Sequence, residues 1–427
     1  MRNQTARPVA IVGGLRIPFC RSHTSYRNHS NQDMLTGVLR AIVERYDLKG
    51  ETLGDASFGA VIKHSRDWNL ARESVLSSGL APETPAFDLQ RACGTSLSAA
   101  VLIGAKISTG LIDSGLAGGT DSLSDLPIVY PDAYRHLLLE SARGRTLGQK
   151  LKPWLGLRPK HFKPVFPGVV EPRTGLSMGE SMEITAKQWE LTRDAQDQLA
   201  FESHQKASRA WEEGYYDDLV VAFDGATRDN NIRPDTSLEQ LAKLKSVFDR
   251  GASGTMTAGN STPLTDGASA VLLASDDWAT KRGLPVQAYL THAKVAAVEF
   301  VEREGLLMAP AYAVSSMLEE AGLELQDFDF YEIHEAFAAQ TLATLKAWES
   351  EEFCTTRLGR PNALGAIDRN KLNVKGGSVA IGHPFAATGT RIVGSLAKLL
   401  HQKGSGRGLI SVCTAGGMGV TAILEAP

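Results

Sequence analysis

Two stretches of this 427-residue chain follow one plan, and that repetition limits what it can fold into. From Phe87 an apolar, strand-like run turns through small residues, Arg91-Ala92-Cys93-Gly94-Thr95-Ser96-Leu97-Ser98. A helical pattern over about 96–108, a strand at 114–117 and Gly118-Gly119 follow. Residues 372–419 repeat the order: a Gly-rich turn carrying His383, a helix over about 388–402, a strand at 409–413 and Gly416-Gly417. Each unit leaves an apolar face that a sheet or a second unit must cover, so the repeat implies two similar α/β halves. Pro8 to Gly13 reads as a further buried strand, followed by a helix over about 33–46, and the alternation implies buried parallel strands separated by helices. Open α/β sheets place their sites where strands end and helices begin, which is where both turns lie.

Cys93 and Cys413 are the reactive candidates among four cysteines. A thiol at a helix start feels the positive end of the backbone dipole and unpaired N–H groups, which favour thiolate. Cys413 lies in a comparable turn, Val412-Cys413-Thr414-Ala415-Gly416-Gly417-Met418-Gly419. Cys20 and Cys354 have no such setting and read as small buried hydrophobes. Two histidines complete the set: His334 in Tyr331-Glu332-Ile333-His334-Glu335-Ala336-Phe337, and His383 in Gly382-His383-Pro384-Phe385.

Composition excludes several classes. The chain is 43% hydrophobic and 22% charged, with a net charge of -3, which offers neither the basic balance of a nucleic-acid binder nor a strongly acidic surface. No run of about 18 apolar residues occurs, and the two arginines within Met1–Pro8 precede no apolar leader, so a cytoplasmic protein with reduced thiols is expected. Metal binding is not signalled by spacing: there is no Cys-x-x-Cys pair, and Ala338 stands where a His-Glu-x-x-His helix needs its second histidine. Neither a Walker sequence nor a Gly-x-Gly-x-x-Gly turn is present.

Between the halves, about 125–251 differs in character: irregular at first, then helical over about 183–214. Ser141 to Val170 holds no acidic residue but carries Arg143, Arg145, Lys150, Lys152, Arg158, Lys160 and Lys163, interleaved with Trp154, Phe162 and Phe166. Such a run is a solvated face, a cradle for a phosphorylated ligand, or an amphipathic patch that docks on a partner or a membrane surface.

Five motifs in order, the Cys93 turn, Asn260-Ser261-Thr262-Pro263-Leu264-Thr265-Asp266-Gly267-Ala268, His334-Glu335-Ala336-Phe337, Gly382-His383-Pro384 and the Cys413 turn, resemble the thiolase family over nearly the whole chain. The His-Glu-Ala-Phe form is similar to the thiolase subunit of fatty-acid β-oxidation complexes. The resemblance implies a thiolase fold, a five-layered αβαβα arrangement of two similar halves with an inserted loop domain. The expected division is 1–124 completed by 252–278, an insert over 125–251, and a second half over 279–427.

For chemistry, the resemblance implies CoA-dependent cleavage of 3-ketoacyl-CoA. Cys93 attacks the 3-keto carbon with His383 as base, and Cys413 protonates the departing acetyl-CoA enolate and then deprotonates the incoming CoA thiol. Two oxyanion holes are implied, one from His383 and residue 334, often through a water, and one from the backbone N–H groups of Cys93 and Ala415. This chain has His334 where most relatives have Asn, and Ala415 where many have Gly. Met178 and Phe337 are expected along the pantetheine tunnel, Thr262 on the pantetheine arm and Arg233 near the nucleotide phosphates. No metal and no tightly bound cofactor is expected beyond CoA as co-substrate. A homodimer or homotetramer, and a hydratase/dehydrogenase α-subunit as partner, are implied as well. Biosynthetic condensation of two acetyl-CoA molecules, a ketoacyl-synthase-like enzyme and a non-catalytic lipid-binding relative stay open as alternatives.

Overall fold

The computed structural model describes residues 6–427, so the leader question at Met1–Thr5 lies outside the described residues. Apolar runs with small residues become strands covered on both faces. In the strand Thr265–Ser275 every residue is buried, with Val271 and Leu273 packed on one side and Ala270, Leu272 and Ala274 on the other. The strands are β1 (Val9–Arg16), β2 (Cys20–Arg21), β3 (Asp55–Phe58), β4 (Phe87–Asp88), β5 (Ser114–Asp121), β6 (Thr265–Ser275), β7 (Ala288–Ala297), β8 (Phe330–Ile333), β9 (Arg407–Thr414) and β10 (Met418–Glu425). They pair in the order β4-β3-β5-β6-β1-β7-β10-β9-β8, with β2 on β6.

The two half-sheets touch through only two residue pairs, Ala10 with Tyr289 and Ile11 with Ala288. Beside that seam the β1–β6 register shifts between Ile11 and Gly13, an irregularity of the kind that bends a strand. The expected parallel sheet is corrected to a mixed one. Only β3–β4, β3–β5 and β8–β9 pair in parallel, while β1–β6, β5–β6, β1–β7, β7–β10 and β9–β10 are antiparallel. The reason is plainest at β9–β10, where residues 415–417 form a loop too short for the crossover that parallel strands need. Both Gly416 and Gly417 take positive φ there, 77° and 68°.

Helices complete the layers. On one outer face α1 (Asn31–Arg45) and α2 (Leu70–Leu76) bury Met34, Leu35, Val38, Leu39, Leu70 and Val75 against Val12, Leu116 and Leu272. In the middle, α3 (Thr95–Ser108) lies between the half-sheets. The insert carries α4 (Asp132–Arg143), α5 (Leu147–Leu151), α6 (Met178–Gln188), α7 (Arg193–Glu212) and α8 (Leu238–Ala242); α9 (Asp276–Lys281) follows β6. On the other outer face α10 (Ala309–Ala321) and α11 (Ala338–Glu349) cover Tyr331, Ile333, Leu409 and Ile423, with α12 (Glu351–Thr356) beyond them. The short α13 (Ser378–Ile381) leads towards α14 (Thr388–Lys403). This α14 joins α3 in the middle layer, where Leu97, Ile103 and Ile107 meet Ile392, Leu396 and Leu400. The resulting αβαβα order is the five-layered architecture expected above.

Two expectations for the insert are revised. Its irregular beginning holds α4 and α5, and the single helix over 183–214 is two, because Glu190 takes a positive φ of 51° and Thr192 restarts the chain as cap of α7. Among the described residues no helix is long and apolar enough to cross a membrane.

The middle layer is tight at its start. A Cβ on Gly389 would lie 2.4 Å from the Leu97 backbone nitrogen, and the Thr390 N–H donates to Ser96 Oγ at 3.0 Å. We therefore expect Gly389→Ala to destabilise the fold by roughly 1–3 kcal/mol through overpacking. Gly148→Ala, on an exposed helix with nothing within 4 Å of the new methyl, leaves the melting temperature unchanged or slightly higher. Calorimetric melting of the two variants checks the contrast; equal behaviour removes the argument.

Candidate active site

The Cys93 turn is held in a costly conformation by its own hydrogen bonds. Ala92 has a φ of 43°, unusual for a residue with a side chain. Thr95 Oγ1 accepts the Arg91 N–H at 2.8 Å and donates to the Ala92 carbonyl at 2.7 Å, while the Gly94 N–H donates to the Arg91 carbonyl at 2.9 Å. The N–H groups of Ala415 and of Cys93 itself pull the thiol towards its ionised form. Burial still prevails and pushes the thiol up to about 12, so the thiolate expected from the helix start is corrected to a neutral thiol at rest.

His383 follows Gly382 and precedes Pro384, and its ring is fixed by Nδ1 on Thr388 Oγ1 at 2.5 Å. Burial, with the nearby Arg391 charge, lowers it to about 3. His334 leaves the end of β8 with its backbone N–H on the Ser411 carbonyl at 2.8 Å, and its Nδ1 lies 2.8 Å from Ser378 Oγ. Burial, then His383 and Arg391, holds this ring well below its ordinary value. The two rings are neutral neighbours, with centroids 4.1 Å apart and planes at 46°.

Arg391 shares Ser378 with His334. Its Nη2 donates to Ser378 Oγ at 2.8 Å, and a guanidinium has no acceptor. A Ser378 hydroxyl that donates to His334 Nδ1 leaves the ring proton on Nε2, and one that accepts from Nδ1–H leaves Nε2 with a lone pair. Among the described residues neither His334 Nε2 nor His383 Nε2 has a hydrogen-bond partner, although both are buried. Sγ of Cys93 and nitrogens of His334 and His383 all lie within 4.8 Å of one another.

Cys413, near the end of β9, is buried, and its thiol is raised well above the ordinary value by burial and then by Cys93. Cys93, His383, Cys413 and Ala415 open on one cavity of about 360 Å³, with the His334 ring tilted against that of His383. Its walls are mostly apolar, with Val61, Val169 and Phe248 among them. Met178, Thr262 and Phe337 line the same space. Thr262 donates its hydroxyl to the Ala336 carbonyl at 3.1 Å, so that side chain is left as an acceptor. Arg233 stands exposed and is not among the lining residues.

Several residues at the site were not singled out from sequence. Glu335, two residues from the end of β8, is buried and accepts from Ser203 Oγ at 2.8 Å, Asn373 Nδ2 at 2.7 Å and the Val379 N–H at 3.1 Å. Glu171 of the insert accepts the Gly416 N–H at 2.6 Å, tying the insert to the Cys413 turn. Buried Arg391 faces Glu332 at 3.9 Å, and burial, partly offset by Arg391, raises Glu332 to about 7. Glu335 sits inside a motif quoted above and Ser378 in the Gly-rich turn ahead of His383; Arg391 and Glu171 carry no local signal.

Family models described as the N-terminal and C-terminal domains of thiolase match residues 9–277 and 284–426. A protein of Pectobacterium carotovorum subsp. carotovorum (strain PC1) named 3-ketoacyl-CoA thiolase is 44% identical over 98% of this chain and 96% of its own length. A protein of the same name from Yersinia pestis (strain Pestoides F) is 41% identical over the same shares. Among solved structures, the Bacillus anthracis acetyl-CoA acetyltransferase superimposes with a TM-score of 0.82 at 28% identity, covering 99% of this chain and 100% of that one. Human mitochondrial 3-ketoacyl-CoA thiolase in complex with CoA gives the same score and identity over 99% and 98%. The chain belongs to the thiolase family.

The neutral rings set a pH dependence. An imidazole depressed in the folded state stays neutral below pH 6.5 while the unfolded chain takes up a proton, so folding loses stability as pH falls through that value. His334→Asn removes one such group. Relative to the parent, the variant should gain about 1.4 kcal/mol between pH 7.5 and pH 5.5 in urea unfolding. The difference cancels Asp121 and Glu332, each raised to about 7 and acting in the opposite sense. A pH-independent difference refutes the assignment.

Proposed function

We propose that the protein is an acyltransferase that cleaves 3-ketoacyl-CoA with CoA to acetyl-CoA and a shortened acyl-CoA, in the degradation of fatty acids. The observation that carries this is the gathering of two thiols and an imidazole on one largely apolar cavity, with a second imidazole against the first. The names of the 41–44% identical relatives support it.

Cys93 sulfur attacks the 3-keto carbon while its proton passes to His383 Nε2. A thiol at about 12 beside an imidazole at about 3 does not ionise in advance, so the proton moves as the carbon–sulfur bond forms. Negative charge on the ketone oxygen is met by the N–H groups of Cys93 and Ala415. The bond between the second and third carbons breaks, and His334 Nε2–H steadies the thioester oxygen of the enolate alongside His383. Cys413 gives its proton to the enolate carbon and acetyl-CoA leaves. The Cys413 thiolate takes the proton of a new CoA thiol, whose sulfur displaces the acyl group from Cys93, and His383 returns the first proton. Met178, Thr262 and Phe337 hold the pantetheine arm along the cavity wall, and Arg233 takes the nucleotide phosphates outside it.

The same proposal divides the chain into halves at 1–124 with 252–278 and at 279–427, around an insert at 125–251, and assigns it to the cytoplasm as a homodimer or homotetramer. Cys93→Ala should lower kcat/KM by at least about 10³ and abolish the trapped acyl-enzyme. Good turnover of acetoacetyl-CoA with none of longer ketoacyl chains refutes the degradative role in favour of acetyl-CoA condensation.

The insert offers the surface for a hydratase/dehydrogenase α-subunit. Around α4 and α5 it exposes Leu147, Leu155 and Phe166 at 73%, 90% and 60% amid its cationic residues. Exchanging Lys150, Lys152, Arg158 and Lys160 for Gln should weaken co-purification with that subunit at unchanged turnover. Retention of the subunit, with loss of binding to anionic vesicles instead, assigns the surface to a membrane.

A further inference from the structure

We propose that Cys93, His334 and His383 together form a binding site for a soft divalent cation, Zn²⁺ foremost, and that the bound ion silences the protein. The inference rests on the geometry of the cluster and is independent of the acyl chain handled. Three features carry it.

First, one sulfur and two imidazole nitrogens, each from a different turn, lie within 4.8 Å of one another. Zinc bonds of about 2.0–2.3 Å in a tetrahedral set separate nitrogen and sulfur ligands by about 3.3–3.6 Å, so closure by about 1 Å suffices. Second, both buried Nε2 atoms lack a hydrogen-bond partner among the described residues. A cation satisfies His383 Nε2 directly, and His334 Nε2 once the ring proton sits on Nδ1. Third, the opposite nitrogen of each ring is held by a hydroxyl, Ser378 for His334 and Thr388 for His383. Metal-ligating histidines have that outer arrangement, which fixes the ring and aims Nε2. A serine hydroxyl both donates and accepts, so rotation of Ser378 lets it accept an Nδ1 proton from His334 and frees the Nε2 lone pair.

The donor set selects the ion. Two imidazoles and one thiolate suit Zn²⁺ and disfavour Mg²⁺ and Ca²⁺, which take oxygen ligands. Three protein ligands leave the fourth position to water on the cavity side. Binding makes three coordinate bonds and releases one proton, that of Cys93, to solvent; nothing is oxidised or reduced. With Asn at position 334, the residue most thiolases carry there, one of the three donors is lost, so this sensitivity belongs to the His-Glu-Ala-Phe form. No sequence spacing signals the site, because its ligands come from three distant segments.

The test uses the purified full-length protein, with Co²⁺ as a spectroscopic probe and Zn²⁺ in titration calorimetry. Wild type should bind one Zn²⁺ per chain and, with Co²⁺, show a sulfur-to-cobalt charge-transfer band. Cys93→Ala should lose the band, and His334→Asn should bind at least about 10-fold more weakly. Zn²⁺ should also slow carboxamidomethylation of Cys93 in the wild type, read by peptide mass spectrometry, a measurement that needs no variant. Activity should fall on addition of Zn²⁺ and return with chelator. Absence of the cobalt band in the wild type, its persistence in Cys93→Ala, or undiminished alkylation of Cys93 under saturating Zn²⁺ each overturns the proposal. A wild type inactive on every ketoacyl-CoA but positive for band and protection would refute the proposed function and leave the metal site standing.

Discussion

Everything at the site hangs on how closely the starts of α3 and α14 approach. The absence of a side chain at Gly389 lets its backbone lie against Leu97, and Ser96 binds the Thr390 N–H across the junction. Cys93 sits just ahead of one helix and His383 just ahead of the other, so this single contact brings the two repeated turns together. Asp121, at the end of β5, adds a second tie. Its carboxylate accepts from the Val61, Ile62 and Ala386 N–H groups at 2.7–2.9 Å, joining the His383 turn to the first half.

Burial then sets the electrostatics. The four candidate side chains are shifted towards their neutral forms: two thiols pushed up and two imidazoles pushed down. Charge stands one layer back, in Arg391 facing Glu332 and in Glu335 beneath Ser203, Asn373 and Val379. Those groups orient rather than react. Arg391 shares Ser378 with His334, and Glu335 braces the chain between β8 and α13. Separation of this kind keeps the cavity walls largely apolar while their polar atoms stay aimed.

Much of this was legible from residues alone. The two turns announced themselves through small residues between apolar runs, and the repeat foretold the layered halves. Strand direction was not legible, because a buried antiparallel strand such as β6 carries the same continuous apolar run as a parallel one. The break between α6 and α7 was hidden because Trp189-Glu190-Leu191 contains neither Gly nor Pro, and the turn depends on one strained φ at Glu190. The state of Cys93 was misjudged for a related reason: position at a helix start is written in the sequence, whereas depth of burial is a property of the assembled halves. Arg391 and Glu171 gave no sign at all, since Glu171 matters only through a partner in a distant segment and Arg391 through a serine on a separate short helix.

The protonated state of the Cys93 sulfur has a consequence for survival between turnovers. Peroxides and stray electrophiles attack thiolates far faster than thiols. A sulfur whose pKa burial raises to about 12 is shielded in this way. The same burial that raises its pKa thus gives the Cys93 thiol its durability in an oxidising spell.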